Sequence, residues 1–141
     1  MKLKKCTVFL SPALRRLLQD KDQHCKFSAA LAAGMKLPMQ IVNYCMEDGT
    51  GILNWRRPFT DYPPSMARLF KGGHAENAWM VDAFKGTARI ETHIELFSSD
   101  QLLVDIVFLR EGQKIGEAPF RIHCHVGSDG NILRKQYDHW R

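Results

Sequence analysis

No two cysteines in this chain stand close enough in sequence to form a metal-binding pair. Cys6, Cys25, Cys45 and Cys124 are widely and irregularly spaced, with no C-x-x-C motif. Structural zinc sites draw on closely spaced ligand pairs, so a zinc finger is excluded. The default is free thiols in a reducing compartment. Long apolar runs are missing as well. The opening MKLKKCTVFL has lysines followed by apolar residues, but the run stops at Ser11-Pro12 and leads into Arg15-Arg16. That is too short for the apolar region of a secretion signal, and no other stretch reaches membrane-spanning length. The expectation is a cytoplasmic protein without a membrane partner. Blocks of like charge are absent too. The formal net charge is +5, yet the cations are scattered as Lys2, Lys4 and Lys5, Arg15 and Arg16, Arg56 and Arg57, Arg134 and Lys135. No run resembles a nucleic-acid-binding arm, so a basic solvated surface is expected rather than a nucleic-acid partner. Repeats and low-complexity tracts are lacking.

What is present is ordinary globular composition. The 141 residues are 45% apolar and 25% charged, which fits one domain over residues 1–141 that buries a core without metal or disulfide staples. Lys5 to Leu10 reads as a short strand. Ser11-Pro12 is a helix start: a hydroxyl cap, then a proline whose missing N–H costs nothing at the first helical position. Leu14, Leu17 and Leu18 share a face at helical spacing. A second helical stretch, FSAALAAG, ends on Gly34. Lys21 and Asp22 interrupt the stripe between them, which leaves two helices or one bent helix open. MQIVNYCM reads as a strand, EDGTG as a turn, and the proline-rich NWRRPFTDYPP as a loop.

The second half differs in kind. AWMVDAF, ARIETHIELF, LLVDIVFLR, EAPFRIHCHV and ILRKQYDHW are strand-like, and turn chemistry separates them at hairpin spacing. In ARIETHIELF, Ile90, Ile94 and Leu96 alternate with Arg89, Glu91, His93 and Glu95, giving one buried face and one that is wet or lines a pocket. Helices followed by an antiparallel meander predict an α+β protein.

The order of elements, with a last strand of the form DGNILRKQYDHW, resembles the nuclear transport factor 2-like superfamily, including its SnoaL-like members. Asp129, Gly130, Ile132, Tyr137 and Trp140 carry the likeness, which covers about the last half of the chain. It implies N-terminal helices packed on a strongly curved antiparallel sheet, forming a cone with a pocket at its mouth. It also implies a homodimer. The superfamily holds isomerases, dehydratases, epoxide hydrolases and cyclases beside pocketed proteins without known chemistry, so the likeness implies a pocket rather than a reaction.

The residues that can carry chemistry cluster in the last strands. On a strand, His123 and His125 project to one face with Arg121, while Ile122, Cys124 and Val126 face the core. His123, His125 and His93 are a conceivable metal set, but two histidines on one strand face are a weak signal, and no metal or cofactor is assigned. Asp105 is the one charged residue inside Leu102–Leu109, and such a carboxylate must meet a cation or several donors. If the meander pairs neighbours in order, Asp105 lies beside His123 and His125. A carboxylate orienting a histidine base then becomes available for cofactor-free acid–base work on a small hydrophobic molecule. The expected catalytic residues are Asp105, His123 and His125; Trp79, His93, Phe108, Phe120 and Tyr137 are expected to line the pocket. The alternative is a non-enzymatic dimeric interaction module of the same fold.

Overall fold

A computed structural model describes residues 3–31, 52–58, 82–83 and 85–139. In chain order it contains β1 (Leu3–Leu10), α1 (Pro12–Leu18), α2 (Lys21–Ala29), β2 (Ile52–Pro58), β3 (Arg89–Ser98), β4 (Gln101–Leu109), a 3-10 turn (Ile115–Glu117), β5 (Phe120–Gly127) and β6 (Ile132–His139). The protein is α+β, as expected. Its strands form a single sheet in the order β2-β1-β3-β4-β5-β6.

The N-terminal strand is followed by two helices, not one bent helix. The Ser11 hydroxyl accepts a hydrogen bond from the Leu14 N–H at 3.2 Å, with Pro12 at the first helical position. Asp20 then restarts the chain, its carboxylate accepting from the N–H groups of Asp22 and Gln23 at 3.0 and 3.1 Å. This second cap is why α2 begins at Lys21, ahead of the FSAALAAG stretch; Gly34 lies outside the described residues. Replacing Ser11 with alanine removes a cap worth typically ~1 kcal/mol. Urea unfolding of Ser11→Ala should show that loss with an unchanged m-value, and Ser11→Asp should restore it.

The antiparallel meander β3-β4-β5-β6 forms as the turn chemistry predicts. The expectation of an antiparallel sheet throughout is corrected at β1, which pairs parallel to β3 and antiparallel to β2. Because β1 lies between β2 and β3, the sheet is mixed. Two further readings change. Ile52–Pro58, with its residues from Asn54 onward expected in a loop, is an edge strand, where a proline at the strand end breaks no interior ladder. Asp82 and Ala83, within the strand-like AWMVDAF, are helical. The segment MQIVNYCM lies outside the described residues.

One face of the sheet carries the core. Val8 and Leu10 of β1, Ile90 and Ile94 of β3, Val104, Ile106 and Phe108 of β4, and Ile122, Cys124 and Val126 of β5 pack with Leu14 and Leu18 of α1 and with Phe27 and Leu31. The hydrophobic effect thus places both helices on this side. Lys26 ties α2 to the β3–β4 turn, its ammonium donating to the Ser99 carbonyl at 2.8 Å. The opposite face takes the alternate residues of each strand, and most of the charge gathers there. Its one apolar cluster among the described residues is Val107, Leu109 and Ala118, beside the 3-10 turn.

Candidate functional site

Strand register arranges the polar face in rows. Phe9, His93, Asp105, His123 and Gln136 stand side by side across β1, β3, β4, β5 and β6. The next row holds Glu95, Leu103, His125 and Arg134. Thr7, Glu91, Val107 and Arg121 form the row on the other side. Neighbouring strands lie ~4.8 Å apart, so residues in one row meet side chain to side chain.

Each of the two central histidines meets its own carboxylate. His123 Nδ1 lies 3.2 Å from Asp105 Oδ1, a close approach whose angle falls short of a hydrogen bond. The second oxygen of Asp105 faces the Arg121 guanidinium at 3.7 Å. On β3, His93 Nε2 lies 3.2 Å from Glu91 Oε1, and Arg89 Nε donates to Glu91 Oε2 at 3.1 Å. The His93 ring also stacks on Phe9, with centroids 4.4 Å apart and planes inclined by 2°. An arginine–carboxylate–imidazole set therefore occurs twice. Glu91 is the more buried member, its side chain 11% exposed, whereas the Asp105 side chain keeps 26% of its surface open. The lone carboxylate in an apolar strand has found the cation it needs.

Two cavities border this network. One of about 260 Å³ is lined by Phe9 to Pro12 and by His93, Ile94 and Glu95. Here the Ser11 hydroxyl is occupied in capping α1 and the His93 ring is held between Phe9 and Glu91. The other, about 240 Å³, is lined by Leu103, His123, His125, Arg134 and Gln136. It places a carboxylate-paired imidazole against open space, with three more polar side chains converging on it. The His125 ring is tilted against Phe97, centroids 4.3 Å apart. Among the described residues, no three or more His, Cys, Asp or Glu side chains are grouped to hold a metal ion.

Of the expected site residues, Asp105 and His123 come together, His125 lines the same cavity as His123, and His93 shares their face but sits with Glu91. Phe108 and Phe120 do not line this cavity. Both are buried in the core on the helix side, because each stands an odd number of positions from Asp105 or His123 in its own strand, and alternate residues face opposite ways. Tyr137 stands opposite Ile122 in register; its side chain and Trp79 lie outside what is described. Glu91, Arg121, Arg134 and Gln136 join the site without belonging to the expected set. Face alternation in ARIETHIELF, RIHCHV and LRKQ carries the signal for all four.

Cys124 confirms the alternation from the other side. It is fully buried, and burial, opposed by the nearby Lys135 ammonium and reinforced by the Asp105 charge, pushes its thiol up to about 12. It is a core thiol, not a nucleophile. The chain matches no family model, no curated protein and no solved structure. No helix among the described residues is long and apolar enough to cross a membrane.

Proposed function

We propose that the protein binds a small molecule on the polar face of its sheet and performs cofactor-free acid–base chemistry there, with His123 moving the proton and Asp105 positioning it. The observation that carries this reading is the 3.2 Å approach of Asp105 to His123 Nδ1 beside a cavity that His123 itself lines. When the ring turns to align Nδ1–H with the carboxylate, the lone pair on Nε2 is the base, and the Asp105 charge stabilises the imidazolium that forms. The simplest reaction starts from a carbon next to a carbonyl. In a β,γ-unsaturated carbonyl compound Nε2 takes the α-proton, the C–H electron pair moves into the carbonyl as a dienolate, and the same proton is returned to the γ-carbon as the double bond shifts into conjugation. That sequence is an isomerisation. If instead an enolate expels a β-hydroxyl that takes the proton from Nε2, the C–O bond breaks, water leaves and the outcome is dehydration.

The same reading extends to the architecture. The meander and the DGNILRKQYDHW ending support a nuclear transport factor 2-like sheet, although the helices pack on its apolar face and the polar face carrying His123 is turned away from them. The parallel pairing of β1 with β3, ahead of the helices, is a departure that such a sheet has to accommodate.

The test is a turnover screen of small carbonyl compounds against wild type, Asp105→Asn and His123→Gln. A compound turned over by wild type should lose 10²–10⁴-fold with His123→Gln, the usual contribution of a positioned acid–base group. Loss with Asp105→Asn should be smaller, because the imidazole remains. Turnover by His123→Gln at the wild-type rate, or no turnover of any carbonyl compound, would reject the reading.

One observation favours a second reading, a dimeric interaction module. Phe97 is 54% exposed at the end of the polar face, beside His125, and an exposed aromatic of this kind suits an interface. Under that reading wild type sediments as a dimer and Phe97→Ser as a monomer; a monomeric wild type removes it.

A further inference from the structure

We infer that the cavity beside His123 is an oxyanion site, and that its ligand is a small carboxylate carried on a single flat apolar ring. The inference rests on the small-molecule reading above and names the ligand class. It comes from the pairing of β5 with β6. His123 stands opposite Gln136 and His125 opposite Arg134. Within each strand the two residues are an i, i+2 pair on the same face, ~7 Å apart, and the strands are ~4.8 Å apart. His125, Arg134 and Gln136, side chains that can donate hydrogen bonds, thus stand with His123 around the open space that all four line.

The charge balance has one sign. None of the lining residues is acidic. On the neighbouring β4, Asp105 faces the same side and is engaged by His123 and Arg121, and on β6 Asp138 stands opposite Arg121 in register. Glu95, on β3, is exposed and is separated from the histidines by β4, where Leu103 stands opposite it. Arginine presents a rigid fork of donors that fits both oxygens of a carboxylate, and it accepts no hydrogen bond from a cation or amine.

The apolar lining residue is Leu103, and Phe97 packs against the His125 ring beside the cavity. A volume of about 240 Å³, below the ~300 Å³ lower bound of drug-sized pockets, seats one ring, and the cavity is open to solvent. The carboxylate at the Arg134 end holds that ring along Leu103 and directs its other end toward His123.

The experiment is an NMR titration of the full chain with benzoate and with benzamide, its neutral isostere, on wild type, Arg134→Gln and Arg134→Lys. Arg134 is exposed, so these variants keep the fold. Benzoate should saturate with shifts centred on Leu103, His125 and Arg134. Benzamide should bind at least 10-fold more weakly. Arg134→Gln should weaken benzoate at least 10-fold, and Arg134→Lys should recover part of the loss. Equal binding of benzoate and benzamide at these residues overturns the anion assignment while leaving a small-molecule site in place. Benzoate binding unchanged by Arg134→Gln, or no saturable benzoate shift at these residues, also overturns it. The turnover screen then decides the acid–base reading separately.

Discussion

Phe108→Ala should lower the stability of the protein by ~3–5 kcal/mol, read as a fall in the urea midpoint at constant m-value and a drop in Tm of roughly 10–20 °C. The Phe108 side chain is fully buried. In register it stands between Ile90 of β3 and Phe120 of β5, in the buried cluster that residues of both helices join. Truncation removes the transfer free energy of a whole ring and leaves a cavity that flanking strands cannot collapse into, because their ladders hold them in place. With total stabilities of ~5–15 kcal/mol usual for a domain, the variant should be near its unfolding threshold at 37 °C. Phe108→Leu is the informative companion. It should keep the fold with a smaller loss and leave ligand binding on the polar face unchanged, since the side chain lies on the other side of the sheet. A small effect of Phe108→Ala on stability, with a large effect of Phe108→Leu on binding, would mean that β4 is out of register by one residue.

The second large effect is alkaline and belongs to Cys124. Its thiol sits at about 12 in the folded protein against an ordinary value of 9.0. A raised pKa in an acid that is neutral when protonated means that the folded state holds its proton more tightly than the unfolded chain does. The associated stability is therefore complete below pH 9 and is lost as pH rises from about 9 to about 12. Three pH units correspond to a loss on the order of 4 kcal/mol, most of it reached by pH 11. Lysines and tyrosines titrate in the same window, so the measurement is a difference. Unfolding free energies of wild type and Cys124→Val, taken at pH 8 and pH 11, should show wild type losing more by that amount. Parallel slopes for the two proteins would contradict the burial of the thiol. Alkylation gives a second view at neutral pH. Cys25 is exposed and should react with iodoacetamide in the folded state, whereas Cys124 should be labelled only when the protein opens.

Both effects depend on alternation, and alternation is written in the residue order of each strand. RIHCHV assigns His123 and His125 to one face and Cys124 to the other from period two alone. LLVDIVFL carries the same information: it sets Asp105 apart from Phe108, so the expectation of Phe108 beside the catalytic groups conflicts with the period of its own strand. Phe120 stands in the same relation to His123. The start of α1 is legible in Ser11-Pro12 because a cap is a local bond between residues three apart. The hairpins of the second half are legible for the same reason, from short turns between strands that are neighbours in sequence.

The pairing of strands distant in sequence is not. β1 and β3 are separated by more than 70 residues, and nothing local in Leu3–Leu10 indicates that its partner is Arg89–Ser98 or that the pair runs parallel. The same holds for Ile52–Pro58, whose proline and arginines read as loop until β1 supplies a partner ladder. By itself, then, the sequence determined the class of the protein, the faces of its strands and the antiparallel meander, since these follow from spacing and turn chemistry within a few residues. Only the tertiary structure decided which rows form across the sheet: that Asp105 meets His123 and Arg121, that Glu91 takes His93, and that Arg134 and Gln136 stand opposite the two histidines. Those meetings depend on register, which is set by burying one whole face at once under the helices, and no single segment carries that information.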